Sequence, residues 1–247
     1  REALRAVRSD IEAAADLHAR SLPRAEQLQG VKATHIYRPA TGLGGDTIGT
    51  SAVGAGLTLF FVIDVCGHGV PAALESFHLH HRLKQFRPDS AQTLETAIVR
   101  LNREIHERGG ESYATLVAGL LDVPGKQGWI VRAGHPNPLL DLGRGFEELD
   151  AEGGMPLGWF ADNKLAPVRF EFPSDARLAI YSDGLTDCPV QKGEELGARG
   201  LKMLLDQASK EPLSELSSLI ENSLDLRNPL DDVSLLALEH AEVEEDT

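Results

Sequence analysis

Strand-like runs in this chain follow one another without helices between them, and that ordering restricts the fold more than any single motif does. Residues 113–123 (YATLVAGLLDV), 128–134 (GWIVRAG) and 138–143 (PLLDLG) are successive apolar runs bounded by Gly or Pro, a pattern that reads as a meander. VKATHIYRPA (31–40) and LTLFFVIDV (57–65) precede them, VRFEF (168–172) and RLAIYSDG (177–184) follow, and DVSLLALEH (232–240) closes the series. The glycine-rich segment 42–56 reads as a hairpin or as a loop with close backbone approaches. Helical periodicity is confined to residues 1–20, the stretch from Pro71 to Phe86, and the segments 91–108, 199–207 and 213–224. Strands joined directly to strands, with helices grouped in pairs, argue against βαβ alternation and predict an α+β fold of antiparallel sheets covered by helices.

A chain of 247 residues is long enough for one large domain with a sizeable core. Its 24 basic and 38 acidic residues give a formal charge of −14, which disfavours nucleic acid as a partner. The most apolar run, Leu57–Ile63, is far shorter than the ~20 residues that span a bilayer, so no membrane segment is expected. Cys66 and Cys188 form neither a disulfide framework nor a metal pair, and a reducing, cytoplasmic setting follows.

The opening Arg1-Glu2-Ala3 reads as the start of a segment cut from a longer protein. In the first helix Leu4, Val7, Ile11 and Ala14 recur at three-and-four spacing, and Pro23 stops it. That seam fits a helix packed on its own domain, or a linker from an upstream regulatory domain through which two copies could pair. The division expected is a switch helix over 1–22, the main domain over 23–240 and a solvated acidic tail over 241–247.

Acidic residues stand where strands end. Asp46 follows Gly44-Gly45, Asp64 follows FFVI, Asp183 follows LAIYS, and Asp231-Asp232 precede the last strand. Strand ends can gather distant residues at one edge, and carboxylates gathered there repel one another unless hard cations such as Mg²⁺ or Mn²⁺ lie between them.

Eight collinear segments, LHARSLP, YRPATGLGGD, FFVIDVCGHGVPAAL, ATLVAGLLD, RAGHPNPLL, MPLGW, LAIYSDGLTD and DDVSLLALE, together resemble the metal-dependent protein phosphatases, the protein phosphatase 2C-like family, in its SpoIIE-like bacterial branch. The resemblance implies a four-layer αββα sandwich, two antiparallel β-sheets flanked by α-helices, with two Mn²⁺ or Mg²⁺ ions at one edge. It implies that Asp64 bridges both ions, that Asp46 and the Val65 carbonyl hold one, and that Asp183 and Asp231 hold the other, with Gly67 and Gly69 shaping the turn below. The activity implied is hydrolysis of phosphoserine or phosphothreonine by a metal-activated water. The setting implied is the output domain of a bacterial signalling protein such as a response regulator, acting on a regulatory phosphoprotein such as an anti-sigma-factor antagonist. One departure stands out: Gly49 occupies a position where the family often carries a second acid, which points to a weaker outer metal. It also favours an alternative in which the fold serves as an adaptor that binds a protein partner with little catalysis.

Other chemistries fit less well. Cys66 would need an Arg six residues on for cysteine-phosphatase catalysis, that position is Ala72, and Cys66 is expected to be a small buried residue. His78, His80 and His81 are expected on a solvated helix face, His68 at a polar turn, and His135 as the organiser of a loop. GLGGDTIG lacks dinucleotide-loop spacing, and neither a GxSxG elbow nor a Walker lysine is present.

Overall fold

The computed structural model describes residues 2–23, 28–109, 113–190, 194–227 and 229–241, without the side chains of residues 2–8 and Glu12. The acidic tail beyond Ala241 and the Leu4 and Val7 side chains therefore lie outside the described residues.

Among the described residues ten strands form two five-stranded sheets, antiparallel throughout. The first runs β1 (Val31–Arg38), β10 (Val233–His240), β9 (Arg177–Tyr181), β6 (Leu139–Asp141), β7 (Phe146–Glu148). The second runs β2 (Asp46–Gly54), β3 (Leu57–Val65), β4 (Ala114–Asp122), β5 (Gln127–Ala133), β8 (Val168–Glu171). Helices α2 (Val70–Lys84) and α3 (Ala91–Arg108) cover the second sheet, and α5 (Gly197–Ala208) and α6 (Leu213–Ser223) cover the first. A single turn, α4 (Asp183–Thr186), follows β9, and α1 (Glu2–Ser21) precedes β1.

Period-two alternation fills three apolar layers. Phe61 and Ile63 point from β3 toward Leu79, Leu94 and Ile98 of α2 and α3, while Phe60 and Val62 point the other way to meet Ile180 and Leu236 across the gap between the sheets. Behind the first sheet, Ala179 and Leu235 pack on Leu201, Leu205 and Leu216. Each such Val, Leu, Ile or Phe side chain contributes roughly 1.5–3 kcal/mol when fully buried. Pro at the start of α2, and the Ser90–Thr93 capping box of α3, fix where those helices begin. The αββα sandwich expected from the sequence is the fold observed.

The meander is corrected. β4 and β5 pair, but β6 leaves for the opposite sheet and pairs with β9, while β5 takes β8 as its other neighbour. Gly134 at φ 66°, followed by His135-Pro136-Asn137-Pro138, breaks the ladder and turns the chain across the gap. In the segment 42–56 the hairpin reading holds: β2 is the arm paired with β3.

Position 49 explains itself sterically. Gly49 lies directly opposite Phe61, and a Cβ there would come within 2.0 Å of the Phe61 ring. It faces the helix-covered core, on the opposite face of β2 from Asp46, so an acid at this position would not reach the sheet edge that carries Asp46 and Asp64. The expected weakening of an outer metal by Gly49 is therefore not supported. Gly49→Ala is expected to destabilise the protein by at least about 1–3 kcal/mol through overpacking, read from urea unfolding midpoints.

Candidate metal centre

Asp64 continues the inner row of β3 set by Phe60 and Val62, and Asp46 is its direct partner across the β2–β3 ladder, so both side chains face the gap between the sheets. On the other sheet, β9 ends at Tyr181 and places Asp183 in the first turn of α4, while Asp231 lies just before β10. Gly184 lets these two segments touch: a Cβ there would sit 2.1 Å from the Asp232 carbonyl oxygen and 3.4 Å from the Asp231 carbonyl carbon. Four acids from four separate stretches thus meet at one open end of the sandwich.

Their ionisation shows the crowding. Burial, then the neighbouring Asp64, raise Asp46 well above the ordinary carboxylate range, with the Ser234 and Ser182 hydroxyls pulling the other way. Burial, then Asp183, Asp231 and Asp232, push Asp64 up to about 7. Asp183 is raised by desolvation and then by Asp231 and Asp187. Four of the arginines pair with acids outside this group, as Arg38–Glu221, Arg82–Glu104, Arg177–Glu239 and Arg227–Asp225.

The donor set fits hard cations. Asp46 is 1% exposed, and its Oδ2 makes no hydrogen bond of full geometry, the Ser182 and Ser234 hydroxyls and the Asp64 carboxyl being the polar groups that act on the buried carboxylate. The Val65 carbonyl is approached by Gly45, where a Cβ would lie 2.7 Å from that oxygen. Among the described residues no group of three or more His, Cys, Asp or Glu side chains is already arranged to hold a metal ion. Mg²⁺ and Mn²⁺ take oxygen ligands and keep several waters of their own, so they need few protein donors.

Asp232 does different work from Asp231. Its Oδ1 accepts from Ala40 N (2.8 Å), and its Oδ2 accepts from Gly45 N (2.5 Å) and Asp46 N (3.4 Å), clamping the loop that carries Asp46. From the other side this loop meets the Tyr37 hydroxyl, which is bonded to His18 Nδ1 of α1 at 3.1 Å. Asp232→Ala is expected to cost about 1–3 kcal/mol in stability by orphaning those N–H groups. It is also expected to weaken Mn²⁺ binding about 10–100-fold, measurable by calorimetry.

A family model described as Stage II sporulation protein E (SpoIIE) matches residues 54–241. The chain belongs to the SpoIIE family. This SpoIIE-family chain is 27% identical over 164 residues to phosphoserine phosphatase RsbP of Bacillus subtilis (strain 168), an alignment covering 64% of the chain and 40% of RsbP, so it spans less than half that relative's length. Its fold is that of the SiaA-PP2C domain of Pseudomonas aeruginosa, with a TM-score of 0.80 at 17% identity over 96% of this chain and 98% of that one. It is also that of the catalytic domain of serine/threonine protein phosphatase PstP in complex with two manganese ions, with a TM-score of 0.66 at 17% identity, covering 86% and 99%.

Of the residues singled out in the sequence, Asp46, Asp64, Val65, Asp183 and Asp231 come together in this SpoIIE-family chain. Gly67 and Gly69 take positive φ in the turn after Val65. Two expectations are corrected. Cys66 is exposed, because it leaves β3 for the turn where no strand covers it. His80 is buried, not solvated: it lies on the inner side of α2, bonds Thr47 Oγ1 at 2.8 Å, and burial drives its pKa down to about 4. His78 and His81 stay outside the core. Asp187 went unnoticed, although its spacing of four from Asp183 places both on one side of α4.

Proposed function

We propose that this chain is a metal-dependent serine/threonine protein phosphatase domain that hydrolyses a phosphoserine or phosphothreonine on a regulatory protein. The observation that carries the reading is the Asp46 oxygen, buried without a hydrogen bond of full geometry beside Asp64 at the open end of the sandwich. The printed activity of RsbP and the two manganese ions in PstP support it.

In this reading Asp46, Asp64, the Val65 carbonyl, Asp183 and Asp231 would hold the divalent cations. When bound, the ions supply positive charge for the phosphoryl oxygens and lower the pKa of water to near neutrality. Asp46 and Asp64 would supply negative charge to them, and the Asp232 clamp holds the Asp46 loop in place. The exposed turn from Cys66 to His68 leaves the mouth open to a phosphorylated side chain. Gly49 no longer favours an adaptor, since Phe61 fills the space beside it.

The wider setting belongs to the same proposal: a cytoplasmic output domain of a response regulator or similar signalling protein, acting on a partner such as an anti-sigma-factor antagonist. In it, α1 joins an upstream regulatory domain and offers a surface for homodimerisation. No helix among the described residues is long and apolar enough to cross a membrane. The test is phosphate release from a phosphoserine peptide with Mn²⁺. Release that EDTA abolishes supports the reading, and its absence from folded, Mn²⁺-loaded protein contradicts it.

A further inference from the structure

The two halves of the metal centre sit on different sheets, so something must fix the distance between them. The chain crosses between the sheets at Gly134–Pro138, and His135 lies at that crossing, 2% exposed. Its Nδ1 is 2.6 Å from Thr115 Oγ1 on β4. Thr115 is the direct cross-strand partner of Asp64, on the same face, where paired Cβ atoms stand about 4.5–5.5 Å apart. The other ring nitrogen, Nε2, is buried without a hydrogen-bond partner, and the Tyr181 main chain lies close enough to act on the ring. Tyr181 ends β9, two residues before Asp183. Arg132 holds the crossing in place, donating from Nη1 to the His135 carbonyl at 2.9 Å and from Nε to the Ala151 carbonyl at 2.8 Å.

We infer that His135 and Thr115 are positioning residues of the metal centre: a buried strut spanning the sandwich that sets the separation of Asp64 on one sheet from Asp183 on the other. The inference rests on the metal-site reading above. The ring carries its proton on Nε2, toward the Tyr181 main chain, and Nδ1 accepts the Thr115 hydroxyl proton. That bond orients Thr115 beside Asp64 and ties β4 to the crossing. Burial drives the His135 pKa down to about 3, so the ring stays neutral and keeps one acceptor and one donor. Loss of a partner behind a ligand typically changes metal affinity by about 10–100-fold, and the strut reaches Asp64 through its cross-strand neighbour Thr115.

Thr115→Val keeps the shape of the side chain and removes only the hydroxyl, and Thr115→Ser keeps the hydroxyl. The measurements are Mn²⁺ titration calorimetry and the Tm of the metal-free protein, with the parent chain alongside. Thr115→Val is expected to weaken Mn²⁺ binding by at least about tenfold. Thr115→Ser should bind as the parent does, with the metal-free Tm of the two variants alike. Parent-like Mn²⁺ affinity in Thr115→Val, or equal weakening in both variants, overturns the strut while leaving the metal centre standing. A folded parent that takes up no Mn²⁺ overturns the metal-site reading itself, and the strut with it.

Discussion

Replacing Asp64 by asparagine is expected to remove phosphatase activity by at least 10²–10³-fold, on the order of losing one preorganised electrostatic group, while making the metal-free protein more stable near neutral pH. The two effects share a cause. Asparagine keeps the shape of the side chain but cannot supply a negative charge between two cations, and it no longer repels Asp46, Asp183 and Asp231. The sign follows from linkage. Asp64 has a folded pKa of about 7 against an ordinary 3.8, so between those values the folded state holds a proton that the unfolded chain has released. Stability of the metal-free parent therefore falls as pH rises from about 4 to about 7 and levels off above. That difference in pKa corresponds to a few kcal/mol. Urea unfolding of metal-free parent and Asp64→Asn across that range should show a steep fall in the parent and a shallower one in the variant. Parallel curves would show that Asp64 is not the strained group.

Adding Mn²⁺ is the second large effect. Saturation at one hundred times Kd contributes about 2.7 kcal/mol for a single site. For a chain of this size that raises Tm by roughly 5–10 °C, and more if two ions bind. The gain should shrink near pH 5, where Asp46 and Asp64, both raised, hold protons that compete with the metal. Thermal unfolding with and without Mn²⁺ at pH 5 and pH 8 reads this directly; a shift of equal size at both pH values would place the ion elsewhere.

The sequence showed the long, strongly patterned elements and left the short and unpatterned ones obscure. Residues 91–108 carry Leu94, Ile98, Leu101 and Ile105 at helical spacing, and that helix lies where the pattern puts it. β2 was ambiguous because DTIGTSAVG offers few large side chains to alternate, and its pairing with β3 is a tertiary fact. β7 has three residues, too few for any period, and went unread. The meander failed because Gly134 and two prolines announce a turn without saying toward which sheet. The acids fared better, since residues that border a strongly apolar strand report their own position. Roles that depend on a distant neighbour, such as Asp232 holding Gly45 and Asp46, or Thr115 beside Asp64, have no local pattern to betray them.

On the proposed reading, Asp46 and Asp64 on one sheet and Asp183 and Asp231 on the other would hold paired cations at the open end of the sandwich. Crystals soaked in Mn²⁺ and measured by anomalous diffraction are expected to show two peaks about 3.5–4 Å apart with Asp64 between them. Mn²⁺ bound only elsewhere, with no peak at these four carboxylates, would contradict that reading.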